Sequence, residues 1–235
     1  MRMIDVSNLS VRFGKIRAVQ DASFTLSCGQ LMTIVGLNGS GKTSLANAVN
    51  GLIPIAGGKI EIDRVDVTKS PFHQRGPIAL VPEGRVLAPS LSIHETLRLG
   101  GGRISRSEFL QRSNSVLSLF PELGERLDQK AGSLSGGEAS LLSFARALMR
   151  APKYLILDEP TLGLSPAATK RVFETIADLR NLGLGILLIE QNLQLAISGS
   201  DLFYLMRDGR LSGCHDAFAA SSPRQIENLL FKTEG

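Results

Sequence analysis

The sequence predicts an α/β protein, a sheet with a helical block inserted into it. Three observations predict this. Short apolar runs at Leu31–Val35, Ile78–Val81, Tyr154–Leu157 and Ile186–Ile189 read as strands buried on both faces, the pattern of a helix-covered sheet. Helical segments follow the first and third of these runs, in the strand–helix order of α/β folds. Between the second and third runs, residues 92–150 are helical in character.

The elements follow in order. Ile4, Val6 and Leu9, then Val11 and Phe13, make an interrupted strand, and Ala22, Phe24 and Leu26 repeat the two-residue period. Cys28-Gly29-Gln30 is a turn before the Leu31–Val35 strand. A glycine-rich loop spans Gly36 to Gly41, and a helix over Thr43–Asn50 closes at Gly51, past its last turn. Gly57-Gly58 leads into a strand over Lys59–Asp63, and Pro82 stops the Ile78–Val81 strand. Within the helical block, Ser92-x-x-Glu95 and Ser105-x-x-Glu108 are both capping boxes, while Pro121 and Pro152 terminate helices. Ser165-Pro166 opens a helix to about Leu179, with Pro at the favoured first position. Asp208-Gly209, between Leu202–Met206 and Leu211, is a hairpin turn, and Ser222-Pro223 opens a last helix.

Composition removes several classes of function. Hydrophobic residues make up 43% and charged residues 20%, which excludes wholesale disorder. The 235 residues correspond to between one and two domains at about 150 residues each. Lys plus Arg is 26 and Asp plus Glu is 22, a net charge of +4, and Arg98, Arg103, Arg106 and Arg112 form no basic stripe, so no nucleic-acid partner is expected. No apolar run approaches the ~20 residues of a membrane span. Met1-Arg2-Met3-Ile4-Asp5 carries no apolar signal-peptide core. Cys28 and Cys214 share no metal-like spacing, and a reducing compartment is expected.

Chemistry concentrates in three motifs. Gly36-Leu37-Asn38-Gly39-Ser40-Gly41-Lys42-Thr43 matches the phosphate-loop pattern in full, between a strand and a helix. Its glycines let backbone N–H groups point at phosphate oxygens, and the helix that follows, with Ser44 in its first turn, adds its positive end. Lys42 reaches the β- and γ-phosphates, and the Thr43 hydroxyl ligates Mg²⁺. Leu155-Ile156-Leu157-Asp158-Glu159-Pro160 puts two carboxylates at the end of a buried strand. Asp158 is read as holding Mg²⁺, directly or through water, and Glu159 as orienting or deprotonating the attacking water. Leu134-Ser135-Gly136-Gly137-Glu138 is read as a second anion site at a helix start. Ser135-x-x-Glu138 is also a capping box, but a cap alone needs no double glycine.

Gly36–Thr43, Leu134–Glu138 and Asp158–Glu159 in this order resemble the nucleotide-binding subunit of ATP-binding cassette (ABC) transporters, along essentially the whole chain. The resemblance implies a P-loop NTPase fold with a RecA-like core, an N-terminal antiparallel β subdomain and a helical subdomain at about 85–150, all within one ATP-binding domain over 1–235. It implies two such subunits sandwiching two ATP molecules. Each ATP lies between the phosphate loop of one subunit and Ser135, Gly136 and Gly137 of the other. It also implies integral membrane permease subunits as partners and a peripheral location at the cytoplasmic face of the inner membrane.

The resemblance places further residues. Phe13, in Arg12-Phe13-Gly14, sits where an aromatic ring stacks on adenine, with a core strand residue as the alternative. Glu83 sits where the family usually has a Mg²⁺-sensing glutamine, and Gln191 where it has a histidine contacting the γ-phosphate. Ser165 replaces the usual aspartate of the loop linking the two ATP sites. A glutamine can hydrogen-bond a phosphate but carries no titratable proton. Val81-Pro82-Glu83-Gly84-Arg85 with Glu190-Gln191-Asn192 is similar to the shorter ATP-binding subunit of branched-chain amino-acid importers (LivF-type). That system implies a second, different ATP-binding subunit and an extracytoplasmic solute-binding protein. Urea and amide importers share much of this pattern. A non-transport ABC ATPase and a catalytically silent subunit are the other readings. Ala139–Ser143 is less polar than is usual after the signature.

Overall fold

The computed structural model describes residues 2–84, 86–192 and 199–216. In chain order its elements are β1 (Met3–Phe13), β2 (Ile16–Ser27), β3 (Leu31–Val35), α1 (Lys42–Asn50), β4 (Gly57–Ile62), β5 (Val65–Asp66), β6 (Ile78–Val81), α2 (Ile93–Gly101), α3 (Arg106–Leu117), α4 (Pro121–Gly124), α5 (Gly136–Leu148), β7 (Tyr154–Asp158), α6 (Pro166–Asn181), β8 (Gly185–Glu190), β9 (Leu202–Arg207) and β10 (Arg210–Asp216). The helix expected at Ser222-Pro223 lies outside the described residues.

Two sheets form. The antiparallel one runs β2-β1-β4-β5, and the larger one runs β10-β9-β3-β8-β7-β6. In the larger sheet β9, β3, β8, β7 and β6 are parallel and β10 is antiparallel to β9. Residues of β3, β7 and β8 are buried at every position, as their unbroken apolar runs predict. The two-residue period then divides their side chains between two cores. Met32, Ile34, Tyr154, Ile156, Leu187 and Ile189 pack with α1 and the antiparallel sheet. Leu31, Leu155, Leu157, Ile186 and Leu188 pack with the helices on the opposite face. The larger sheet is thus the middle layer.

The helical block between β6 and β7 attaches through α5. Ser140, Leu141, Leu142 and Ser143 are buried, which gives the reason for the low polarity of this segment: it is core, not surface. Two details differ from expectation. Ser105 accepts the Glu108 N–H at 3.1 Å, but the Glu108 carboxylate turns to Arg112 at 2.6 Å instead of back to the cap, so only half of that box forms. Pro121 occupies the first turn of α4 instead of ending a helix.

The interruption in β1 is a register shift between Val6 and Leu9, at Asn8, whose φ is 50°. The shift keeps Ile4, Val6, Leu9 and Val11 all on the buried face. Asp63 and Arg64, both at positive φ, form a two-residue turn between β4 and β5. From this turn Asp63 reaches the larger sheet. It accepts hydrogen bonds from Lys153 Nζ at 2.7 Å and the Tyr154 hydroxyl at 2.6 Å. Burial pushes the Asp63 carboxyl up, but the bonds from Lys153 and Tyr154 outweigh that and hold it below the usual range. Its stabilising contribution is therefore present above the unfolded-state value and lost as pH falls through the lower folded value. Asp63→Asn is expected to cost about 1 kcal/mol at neutral pH. In denaturant titrations against pH, the gap to the parent should begin to shrink below about pH 4.

Candidate active site at the carboxyl ends of the parallel strands

Parallel register brings three chain-distant segments to one edge. Val35 at the end of β3 is level with Glu190 of β8 and Leu205 of β9. Asp158 at the end of β7 is level with Ile189. The phosphate loop, Asp158–Glu159 and Glu190–Gln191 therefore converge beyond the carboxyl ends, where open α/β sheets bind ligands. A cleft of about 610 Å³ there is lined by Asn38, Gly39, Gly41, Lys42, Thr43 and Ser44, with Glu83, Glu159 and the Asp208-Gly209 turn.

The start of α1 differs from the other main helices. α2, α3, α5 and α6 each open on a serine whose hydroxyl accepts a first-turn N–H. α1 opens on Gly41 at φ 106°, with no side-chain cap and no acidic residue in its first turn. The N–H groups that a cap would consume remain for an anion, and the helix dipole favours one. The glycines serve more than phosphate access. A Cβ on Gly36 would overlap the Met206 carbonyl, and one on Gly41 the Ala18 carbonyl. Gly39 is in open space, and its φ of 78° favours glycine.

Lys42 is buried, and its Nζ donates to the Gly36 carbonyl at 2.7 Å and the Leu37 carbonyl at 3.0 Å. It pairs with Glu159 Oε1 at 3.6 Å. Glu159 takes φ 47°, uncommon for a residue with a Cβ. The Glu159 N–H donates to Ile189 O at 3.0 Å, and Gln191 Nε2 donates to Glu159 Oε2 at 2.6 Å. The structure thus puts Gln191 against Glu159.

Asp158 is 2% exposed, and burial pushes its carboxyl up to about 6. The charges of Glu159 and Glu83 push the same way, while the Thr43 hydroxyl bond and Lys42 oppose them. Its Oδ1 is buried without a hydrogen-bond partner. A cation is the partner this arrangement lacks, and an all-oxygen set of Asp158, Thr43 and Glu83 suits a hard divalent ion such as Mg²⁺.

The remaining predicted residues are placed as follows. Ser40 is buried and its hydroxyl has no partner. Phe13 is 50% exposed, which rules out the core alternative. It pairs with Ile16, which lines the cleft, but Phe13 itself does not line it. Ser135, Gly136 and Gly137 are outside the cleft, at the start of α5. The Ser135–Glu138 capping box forms in both directions, and a Cβ on Gly137 would stand 2.9 Å from Ala168 Cβ. Capping and helix packing therefore account for Ser135 and Gly137 within the fold itself. Ser165 caps α6.

Sequence reasoning missed two features. The Asp208-Gly209 turn lines the cleft; the dipeptide signals a hairpin but not what the hairpin docks against. Glu190 is buried and accepts the Thr161 hydroxyl at 2.6 Å, tying the segment after Glu159 to the end of β8. A charged residue closing an apolar run beside Gln191 was the available signal.

The family model for ABC transporters matches residues 19–162. The chain belongs to the ABC transporter family. BraG of Pseudomonas aeruginosa strain PAO1, a high-affinity branched-chain amino acid transport ATP-binding protein, is 38% identical over 220 residues, covering 93% of this chain and 94% of BraG. The probable branched-chain amino acid transport ATP-binding protein LivF of Archaeoglobus fulgidus is 34% identical over 233 residues, covering 98% and 97%. Ribose import and lipopolysaccharide export ATP-binding proteins also match, at 28–32% identity. A solved ATP-binding cassette of an ABC transporter in its ADP conformation superposes with a TM-score of 0.83 at 25% identity, covering 98% of this chain and 95% of that one. ABC ATP-binding subunits hydrolyse ATP to power transport, and this chain is an ATPase of that family. Asp158→Asn is expected to raise the Mg²⁺ concentration for half-maximal ATPase by about tenfold or more, measured by Mg²⁺ titration at fixed ATP.

Proposed function

We propose that this chain, as one ATP-binding domain over 1–235, is the ATP-hydrolysing subunit of a branched-chain amino-acid importer. The single observation that carries the substrate class is the near-full-length similarity to BraG and LivF. The pair Val81-Pro82-Glu83-Gly84-Arg85 and Glu190-Gln191-Asn192 supports it. Within the described residues no helix is long and apolar enough to cross a membrane. The pore belongs to separate permease subunits, and the chain sits peripherally at the cytoplasmic face of the inner membrane. A second ABC ATPase subunit, identical or different, completes the dimer, and an extracytoplasmic binding protein delivers the solute.

In the proposed reaction, water attacks the γ-phosphate of ATP in line. Gly36, Asn38, Gly39, Ser40, Gly41 and Ser44 surround the phosphates, chiefly with backbone N–H groups, and Lys42 neutralises the β- and γ-oxygens. Phe13 stacks on adenine. Thr43, Asp158 and Glu83 would hold Mg²⁺, which would supply positive charge to offset that of the phosphate oxygens. Glu159 accepts the proton of the attacking water, and Gln191 orients Glu159 through its 2.6 Å bond. Ser135, Gly136 and Gly137 contact the ATP held by the partner subunit. With the phosphate loop, Asp158, Glu159 and Gln191 brought together at the carboxyl ends of the parallel strands, catalysis is mainly positioning and electrostatics.

Uptake of labelled solutes in cells with and without the gene tests this reading. Deletion should reduce leucine, isoleucine and valine uptake to background, leave urea uptake unchanged, and be rescued by the parent gene but not by Lys42→Ala. Intact leucine uptake with loss of urea or amide uptake would move the chain to the amide importers.

A further inference from the structure

The phosphate loop is held by a second group of residues, at positions that no phosphate-loop motif includes. The Asp208-Gly209 turn, at φ 47° and 79°, folds over the loop, and the Gly209 N–H donates to the Ser40 carbonyl at 2.9 Å. Gln20 of β2 grips the same turn from the other side. Its N–H donates to Gly209 O at 2.7 Å and its Nε2 to Asp208 O at 2.8 Å, while its Oε1 accepts from Arg210 Nη2 at 3.1 Å. Space is as tight as the bonding. A Cβ on Gly209 would stand 3.0 Å from Ala18 O, and Cβ atoms on Gly41 and Gly36 would overlap Ala18 O and Met206 O. Segments 16–20, 36–44 and 206–210 are thereby locked together, and the first and last also wall the cleft through Ile16, Arg17, Ala18, Asp208 and Gly209.

We propose that Gln20 and the Asp208-Gly209 turn are positioning residues that set the conformation of the phosphate loop and hence its affinity for nucleotide. Loop N–H groups bind a phosphate only if they point inward together, and a stretch with three glycines in six residues, Gly36, Gly39 and Gly41, loses that alignment to backbone entropy without support. Gly209 fixes the carbonyl of Ser40, the residue immediately before Gly41 and α1. Gln20 fixes the turn by bonding both its carbonyls, Gly209 O through the backbone N–H and Asp208 O through the side chain, so a residue outside the cleft lining acts through the turn on the loop. The effect falls on binding more than on the chemical step, because Glu159 and Gln191 are fixed at the ends of β7 and β8 by bonds of their own, Glu159 N–H to Ile189 O and Gln191 Nε2 to Glu159 Oε2.

This inference rests on reading Gly36–Thr43 as the ATP site, and one experiment separates the two. The full chain is titrated with a fluorescent ATP analogue in Mg²⁺, with thermal melting run in parallel. Binding by the parent that is lost in Lys42→Ala supports the site, and a parent that does not bind overturns both the site and the positioning role of Gln20. Gln20→Glu keeps volume and the acceptor for Arg210 but removes the donor to Asp208 O. Gln20→Met keeps volume alone, and serves as a second variant. Both are expected to weaken binding by about fivefold or more, the scale of a lost hydrogen bond, with ATPase at saturating ATP within about twofold of the parent. Arg210→Ala, which leaves both Gln20 donations intact, should bind within twofold of the parent. Lowered melting temperature with unchanged affinity in both Gln20 variants would reduce Gln20 to a structural contact and overturn the proposal.

Discussion

Lys42 and Glu159 face each other across 3.6 Å with 4% and 7% of their side chains exposed, and the rest of the site is arranged around that pair. Desolvating two such ions costs on the order of several kcal/mol each. The fold offsets this with directed bonds: two loop carbonyls for the ammonium, and the Gln191 amide for the carboxylate. In the proposed reaction, a nucleotide's phosphates would compete with Glu159 for Lys42 and so free the carboxylate to take a proton from water, which would couple charge binding to base activation.

The pair exists because strand ends meet. Lys42 is carried by α1 after β3, Glu159 by the end of β7 and Gln191 by the end of β8, and β8 lies between β3 and β7. Alternating apolar residues clamp those strands between two cores, so the three segments cannot shift independently. Thr161 bonded to Glu190 adds a side-chain tie between the β7 and β8 ends.

Much of this was legible in the sequence because its signals are local. Unbroken apolar runs specify strands buried on both faces, Gly36–Thr43 between a strand and a helix specifies a phosphate loop, and Asp208-Gly209 specifies a hairpin turn. The illegible parts are tertiary. Nothing local says that Gly36 and Gly41 are small partly to admit the carbonyls of Met206 and Ala18, or that Gln20 reaches Asp208 across 188 residues. The Ser135 motif shows the reverse limit. Its double glycine suggested a ligand, yet Gly137 also fits against Ala168 and Ser135 forms a full capping box, so one pattern satisfies two demands.

The central claim is that Glu159 performs the chemistry while Lys42 and the loop bind the nucleotide. It is tested most directly by Glu159→Gln, with steady-state phosphate release and nucleotide affinity measured on the same preparation. The account predicts turnover reduced by about a hundredfold or more, with affinity for MgATP retained within a few-fold. Turnover close to that of the parent, with affinity equally unchanged, would contradict it and remove Glu159 from the role of base.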